Sequence, residues 1–404
     1  MGTCLGEQAY KFEKDDKKIS FVLTAELLLP AVKFAIFQSI PGLPNYNEYA
    51  NIVLSIIMLI LIIPTINIVF KRSGQIAIMS FFILTIFILF NLFIFPQNSI
   101  NIKAHLFRIY FVSYICFVLA MSLRDYKIFL SYLYRASFII IISGFFMLAS
   151  TSIIGVVGKA QTEYNMSLSY YMLIPTLTML LIYYQKKQTR SIFFFFLGLI
   201  IILVMGSRGP ILCILAFSLI YNLKHIRLVI SELFLNFSYI ILGIILALNW
   251  KKTILWLLNV FSRFNIHSRT LQSLLIDKID FYAGRGNIAN KILGIISEKP
   301  IFGIGFLGNL TSHNIIIETL LFFGVIIGSI LLILLTYVII KSLLYKNNKE
   351  LSFLIIIFFS YALPDALLNL TIWGKDMFWI YMGLTVCVIR NQVKNKYTST
   401  PSMN

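Results

Sequence analysis

Two arginines beside glycine, and one histidine beside asparagine, are the residues of this chain whose types and spacing could do chemistry. Gly206-Ser207-Arg208-Gly209-Pro210 sets a guanidinium at a break between two short apolar runs. A guanidinium is always charged, and its planar fork of donors matches phosphate oxygens. Next to lipid it is costly unless it meets an anion or reaches the interface. The flanking glycines remove bulk where a diphosphate would approach. Gly284-Arg285-Gly286 repeats the arrangement, and a helix starting at Gly286 would turn free N–H groups towards an anion. Ser312-His313-Asn314 opens an apolar run. Imidazole accepts a proton from a hydroxyl near neutral pH, and a helix N-terminus disfavours imidazolium, which keeps the ring neutral. Asn314 could orient the ring or a substrate hydroxyl. Glu318, one turn on, shares that face and is expected to point into a cavity rather than lipid.

The candidate set is therefore His313, Arg285 and Arg208 for chemistry, with Asn314, Glu318, Ser207, Gly284, Gly286 and Arg269 as substrate-binding residues. Each also has a plainer reading: an interfacial anchor for Arg208, an exposed turn for Arg285, a helix cap for His313. Glu26 with Lys33, Arg135, Lys159 with Glu163, Asp365, and Asp376 with Lys375 read as structural polar groups. The histidines (His105, His225, His267 and His313) are scattered, and no Asp-x-Asp pair is present to hold a magnesium diphosphate. No metal or other cofactor is expected, and no phosphate loop for ATP occurs. Cys4, Cys116, Cys213 and Cys387 have neither metal-ligand nor disulfide-framework spacing.

These residues must be carried by a membrane scaffold. The chain is 59% hydrophobic and 12% charged, with mean hydropathy +0.87; soluble domains carry roughly a quarter charged residues. The expected fold class is all-α, a polytopic integral membrane protein of about twelve spans in a single transmembrane domain over 1–404. The apolar runs are 20–40, 49–70, 75–95, 105–123, 128–152, 167–184, 190–205, 209–223, 229–249, 313–341, 351–369 and 374–390. A continuous helix over 190–223 would overrun the hydrocarbon, and Pro210 suits the first turn of a new helix, so a tight hairpin is expected there.

The net charge of +18 sits in short clusters between apolar runs, as in loops beside a cytoplasmic leaflet, which argues against nucleic acid as a partner. Lys71-Arg72, Arg124 with Lys127, Lys186-Lys187, Lys224 with Arg227, Lys341 with Lys346, and Arg390 all fall on one side of a twelve-span arrangement. Both tails, 1–18 and 391–404, are then cytoplasmic, and 250–312 is a long extracytoplasmic loop. Its eight cations, among them Arg269 and Arg285, call for an anionic ligand. Within it, 253–264 and 286–298 have apolar faces at helical spacing but are too short to span. Phe302-Gly303-Ile304-Gly305 should form a flexible turn where backbone comes close to a ligand or to another helix.

Taken in order, SRGP between short helices, GRG in the long loop, EKPIFGIG, and SHN leading into ETLLFFGVIIG resemble the O-antigen ligase and polymerase superfamily. These are integral-membrane glycosyltransferases that use polyprenyl-diphosphate-linked glycans. The resemblance covers roughly residues 160–345 in motif and the whole chain in hydropathy. It implies that Arg208 and Arg285 engage the diphosphate and that His313, with Asn314, assists the acceptor hydroxyl, without a metal. It also implies an undecaprenyl-diphosphate-linked oligosaccharide as donor and acceptor, contact with membrane lipids and a chain-length regulator protein, and residence in the bacterial inner membrane. Gly324 is followed by Val325-Ile326-Ile327 before Gly328, a departure from the ligase pattern that favours polymerase. The rivals are the ligase, which passes the glycan to lipid A core or another final acceptor, and a lipid-linked-sugar flippase.

Overall fold

Long runs of Ile, Leu and Phe, interrupted by few prolines, fold as helices because in hydrocarbon a helix satisfies its backbone polar groups internally. The computed structural model describes residues 2–40, 43–158, 166–205, 208–225, 250–263, 275, 286–308, 310, 314–368 and 372–398. Among the described residues there is no strand. Six helices are long and apolar enough to cross a membrane: Phe12–Phe37, Asn47–Ile94, Pro96–Ser122, Tyr126–Ser150, Ile315–Leu343 and Lys349–Leu367. Two further apolar helices, Thr189–Met205 and Gly209–Lys224, are shorter. The run at 229–249 lies outside the described residues, as do 264–274, 276–285, 309 and 311–312 of the long loop.

The chain divides into two compact units, one of residues 1–25, 56–132 and 282–404, the other of 26–55 and 133–281. In the first, the helix Asn47–Ile94 is interrupted at Ser73, whose backbone leaves the helical region (φ −148°, ψ 20°). In one straight helix Ile62 and Phe82 would stand about 30 Å apart. Here both line a single groove opposite Tyr114–Leu119, so the chain doubles back at Lys71-Arg72-Ser73-Gly74 between the runs expected at 49–70 and 75–95. The next helix starts at Pro96, earlier than the run expected at 105–123, and is π-helical over Arg108–Tyr114. Pro at the first position costs nothing, because that N–H has no partner in a helix.

The basic clusters expected on one side meet in this unit. Arg72 donates to Asp16 (2.8 Å) and to the carbonyls of Ser122 (3.2 Å) and Phe12 (3.1 Å). The Arg124 backbone N–H donates to the same carboxylate (3.0 Å), and its guanidinium to the Arg72 carbonyl (3.0 Å). Arg390 donates to the carbonyls of Met121 and Leu123. Burial pushes the Arg124 guanidinium below its usual value, and the Arg390 charge acts in the same direction. Residues 2–18, the segment expected as a cytoplasmic tail, are helical, and Asp16 within them is 1% exposed. An aspartate buried to that degree needs a partner, and Arg72, also 5% exposed at its side chain, supplies it.

In the second unit, close approach of small residues sets the packing. Gly198 on Thr189–Met205 lies against Thr176 of Met166–Lys186, and Gly144 lies against Met172. Tyr184 stacks on Tyr221 (4.7 Å), and Gly209 meets Tyr170. The helix beginning at Arg208 therefore runs parallel to Met166–Lys186, while Thr189–Met205 runs antiparallel to it, so the run over 190–223 is two helices rather than one. Lys33 donates to Asn47 and Asn51, both at 2.7 Å.

Replacing Asp16 by Ala removes the close, buried partner of Arg72 (2.8 Å) and leaves only the longer pair with Asp15 (3.9 Å), and should cost about 3 kcal/mol. Thermal unfolding in detergent should show this as a large fall in midpoint, whereas Glu13→Ala, which breaks only the exposed pair with Lys17, should leave the midpoint within a degree or two of wild type.

Candidate functional site

The expected run at 313–341 is helical as Ile315–Leu343, but it is not one helix. Gly324 has φ 73° and ψ 174°, a region that side-chain-bearing residues rarely enter. The break separates a half-helix, 315–323, from a longer limb, 325–343. Breaking a helix strands backbone groups, and among apolar helices each stranded group is costly.

Here the loop after Pro300 takes up those groups. Ile304 N–H donates to the Leu321 carbonyl (2.9 Å) and Gly305 N–H to that of Phe322 (3.1 Å). On the other side of the break, Val325 N–H donates to the Pro300 carbonyl (2.6 Å). This exchange requires glycine at both contact points. A Cβ on Gly303 (φ 63°) would fall on the Leu321 carbonyl and 2.7 Å from the Gly324 nitrogen; a Cβ on Gly324 would fall on the Ile301 carbonyl. The turn expected to bring backbone close to a ligand or another helix therefore meets a helix, and it is held rather than flexible.

Three asparagines fix the loop from a second direction. The Asn91 side-chain oxygen accepts from Phe306 N–H (2.8 Å). Asn98 donates to the carbonyls of Ile304 (2.9 Å) and Phe306 (3.3 Å), and Asn101 to that of Leu307 (3.2 Å). Around them Phe306, Leu321, Ile102 and Ile292 are almost fully buried in one apolar cluster. The Phe306 ring meets Trp373 at 4.5 Å and Phe87 at 5.1 Å. The helix Gly286–Glu298, whose apolar face was read from its spacing, inserts Ile292 and Ile296 into this cluster. Asn91, Asn98 and Asn101 were not among the sequence candidates. Their signal was available: Asn91 interrupts an apolar run, and Asn98 and Asn101 follow Pro96 within six residues.

Asn314 is the N-cap of the half-helix. Its side-chain oxygen accepts from Ile316 N–H (2.9 Å) and Ile317 N–H (3.3 Å). That oxygen is thus committed to the backbone, where the sequence reading had it orienting an imidazole or a hydroxyl. Glu318 is 4% exposed, inside the protein as expected, in the first turn where the helix dipole favours a carboxylate. Arg285, His313, Arg269, Ser207 and Gly284 lie outside the described residues. Gly286 opens its helix as expected, and Arg208 opens the helix Arg208–His225 of the other unit; the Arg208 side chain also lies outside the description. Gly209 has a packing reason for its identity. The Tyr170 hydroxyl occupies the place of a Cβ, so the space beside Arg208 on that side holds protein, not room for a diphosphate.

Among the structural polar groups, Asp365 pairs with Lys375 at 3.0 Å and is 3% exposed at its side chain, as expected of a buried carboxylate. Arg108, at the start of the π-helical turn, lies against Gly374. Among the described residues no three His, Cys, Asp or Glu side chains gather as a metal site would require. Comparison with family models, with curated proteins and with solved structures gives no match. The residues themselves therefore carry the functional argument.

Asn98→Ala should strand the Ile304 and Phe306 carbonyls at a cost of about 1–3 kcal/mol. Gly324→Ala should cost at least as much, because it combines backbone strain of about 1–3 kcal/mol with the carbonyl clash. Both should appear as faster hydrogen exchange at the Ile304 and Gly305 amides, with exchange in Lys349–Leu367 unchanged.

Proposed function

We propose that this protein is a polysaccharide polymerase of the bacterial inner membrane, joining polyprenyl-diphosphate-linked oligosaccharide repeat units on the extracytoplasmic face. In this reading it is a multi-pass protein of about twelve spans with both termini cytoplasmic. The observation that carries it is the half-helix ending at Gly324. It starts at Asn314, directly after His313, holds Glu318 buried one turn in, and is joined through its backbone to the loop that follows the 284–286 motif. In membrane proteins, irregular backbone of this kind is tolerated where it is buried in protein or lines a cavity, and half-helix ends of this kind hold substrates.

The chemistry follows from the residue types. The hydroxyl oxygen of an acceptor sugar attacks the anomeric carbon of the donor glycan. A C–O bond forms, and the anomeric bond to the lipid diphosphate breaks with its electron pair going to the diphosphate oxygen. His313 accepts the hydroxyl proton. The amides of Ile316 and Ile317 are occupied by Asn314, so the developing charge on the leaving diphosphate falls to guanidinium groups, those of Arg208 and Arg285. Holding both lipid-linked sugars in one cavity supplies proximity.

Purified protein given a defined undecaprenyl-diphosphate repeat unit should form a ladder of chain lengths, and should do so in the presence of chelator. In cells Arg285→Ala should leave glycans of a single repeat while the protein still inserts. Normal chain lengths in that variant would remove Arg285 from the mechanism. Loss of every repeat from the final acceptor would assign the ligase reaction instead.

A further inference from the structure

The hairpin that reverses at Ser73 does not close on itself. Between its two limbs and the helix Ile115–Ser122 runs a groove of about 330 Å³. Its lining includes Ile66, Phe70, Ala77, Phe81, Val118 and Leu119. The hydroxyls along it are turned to the backbone: Thr65 donates to the Ile62 carbonyl (2.6 Å), and Tyr114 to that of Ala77. The walls therefore offer a ligand no polar partner. Side chains at the rim, Ile66, Phe70 and Phe82, are between 44% and 58% exposed. Protein interiors are packed to crystal density, and an apolar space of this size left unfilled would be a heavy cost to a domain.

Position and charge identify the occupant. Phe70 lies at the head of the groove, directly before the exposed Lys71 at the turn. Ile62 lies about 12 Å deeper along the same limb, most of the way through one leaflet of roughly 15 Å. Of the two cations at the turn, Arg72 is tied to Asp16 and Lys71 is exposed, so Lys71 is the one placed to meet a headgroup at the mouth of the groove. Asn98, which holds the loop before His313, and Ser122, at the Arg72 end, are the two extremes of one helix, roughly 36 Å apart. A lipid whose head lies at Lys71 is thus at the far end of this unit from the proposed glycan chemistry.

We infer that the groove between the hairpin limbs is a structural binding site for one acyl chain of an anionic phospholipid, with its phosphate beside Lys71. The test uses the full-length protein in nanodiscs of phosphatidylglycerol and phosphatidylcholine doped with undecaprenyl phosphate, released into detergent for native mass spectrometry. Wild type should retain one phosphatidylglycerol per chain, preferred over phosphatidylcholine by about fivefold, the size of one lysine's contribution at an anionic surface. Lys71→Gln, at an exposed position, should keep its helicity and lose that preference. Ala77→Trp, which fills the groove, should retain no lipid. Wild type stripped of both phospholipids, an unchanged preference in Lys71→Gln, or retention of undecaprenyl phosphate in their place would each overturn the inference. None of these readouts requires glycan transfer, so the polymerase proposal stands or falls separately.

Discussion

The backbone exchange between the loop at Gly303 and the helix break at Gly324 is the constraint on which the candidate site depends. A helix among apolar neighbours cannot be broken unless every stranded donor and acceptor finds a partner. Ile304, Gly305 and Pro300 supply three of those partners, to Leu321, Phe322 and Val325. They can do so only because two residues without side chains allow the strands of backbone to meet. The break then shapes everything near it. It ends the half-helix after nine residues, buries Phe306 against Trp373, and requires the helix at Pro96 to start early enough for Asn98 and Asn101 to reach the loop.

The opposite end of the same unit meets a similar problem with charge instead of backbone. Asp16, Arg72, Arg124 and Arg390 come from four separate segments, and the arginines are joined by carbonyl acceptors at the helix ends of Ala120–Leu123 as well as by Asp16. Last-turn carbonyls have no partners within their helix, and cations near a helix C-terminus are favoured. One buried carboxylate thus accepts from Arg72 and from the Arg124 N–H, while the guanidinium groups of Arg72 and Arg390 donate to the carbonyls at the helix end. The two ends use different groups to a similar effect: at one, backbone amides meet stranded carbonyls, and at the other, guanidinium groups meet a carboxylate and helix-end carbonyls.

Much of this was legible in the chain. The all-helical class and the division of the 190–223 run into two helices follow from run length and Pro210. The basic clusters were expected on one side of a membrane, and three of them do converge. The break at Gly324 was less visible. A run of 29 residues is about 43 Å of helix against roughly 30 Å of hydrocarbon, so its length was a signal, but glycine is common in membrane helices and only φ distinguishes a break. The asparagine clamp joins residues more than 200 positions apart, and no local pattern specifies such a pairing. For Gly209 the sequence offered room for a ligand; the structure fills that room with Tyr170, because a missing Cβ serves close packing as readily as access.

The clamp and the helix cap are two separate anchors on described residues. Asn101 holds the Leu307 carbonyl, and Asn314 caps the half-helix through the Ile316 and Ile317 amides. Both are tied to the repaired break, because the loop held by the asparagines is the one that donates to Leu321 and Phe322 at the end of the capped half-helix. An unbroken helix over the same residues would need neither the loop nor the asparagines, since its own ladder would satisfy those carbonyls. The break at Gly324 therefore explains why polar side chains stand at Asn91, Asn98 and Asn101 in an otherwise apolar unit: they hold the segment that replaces the missing turn.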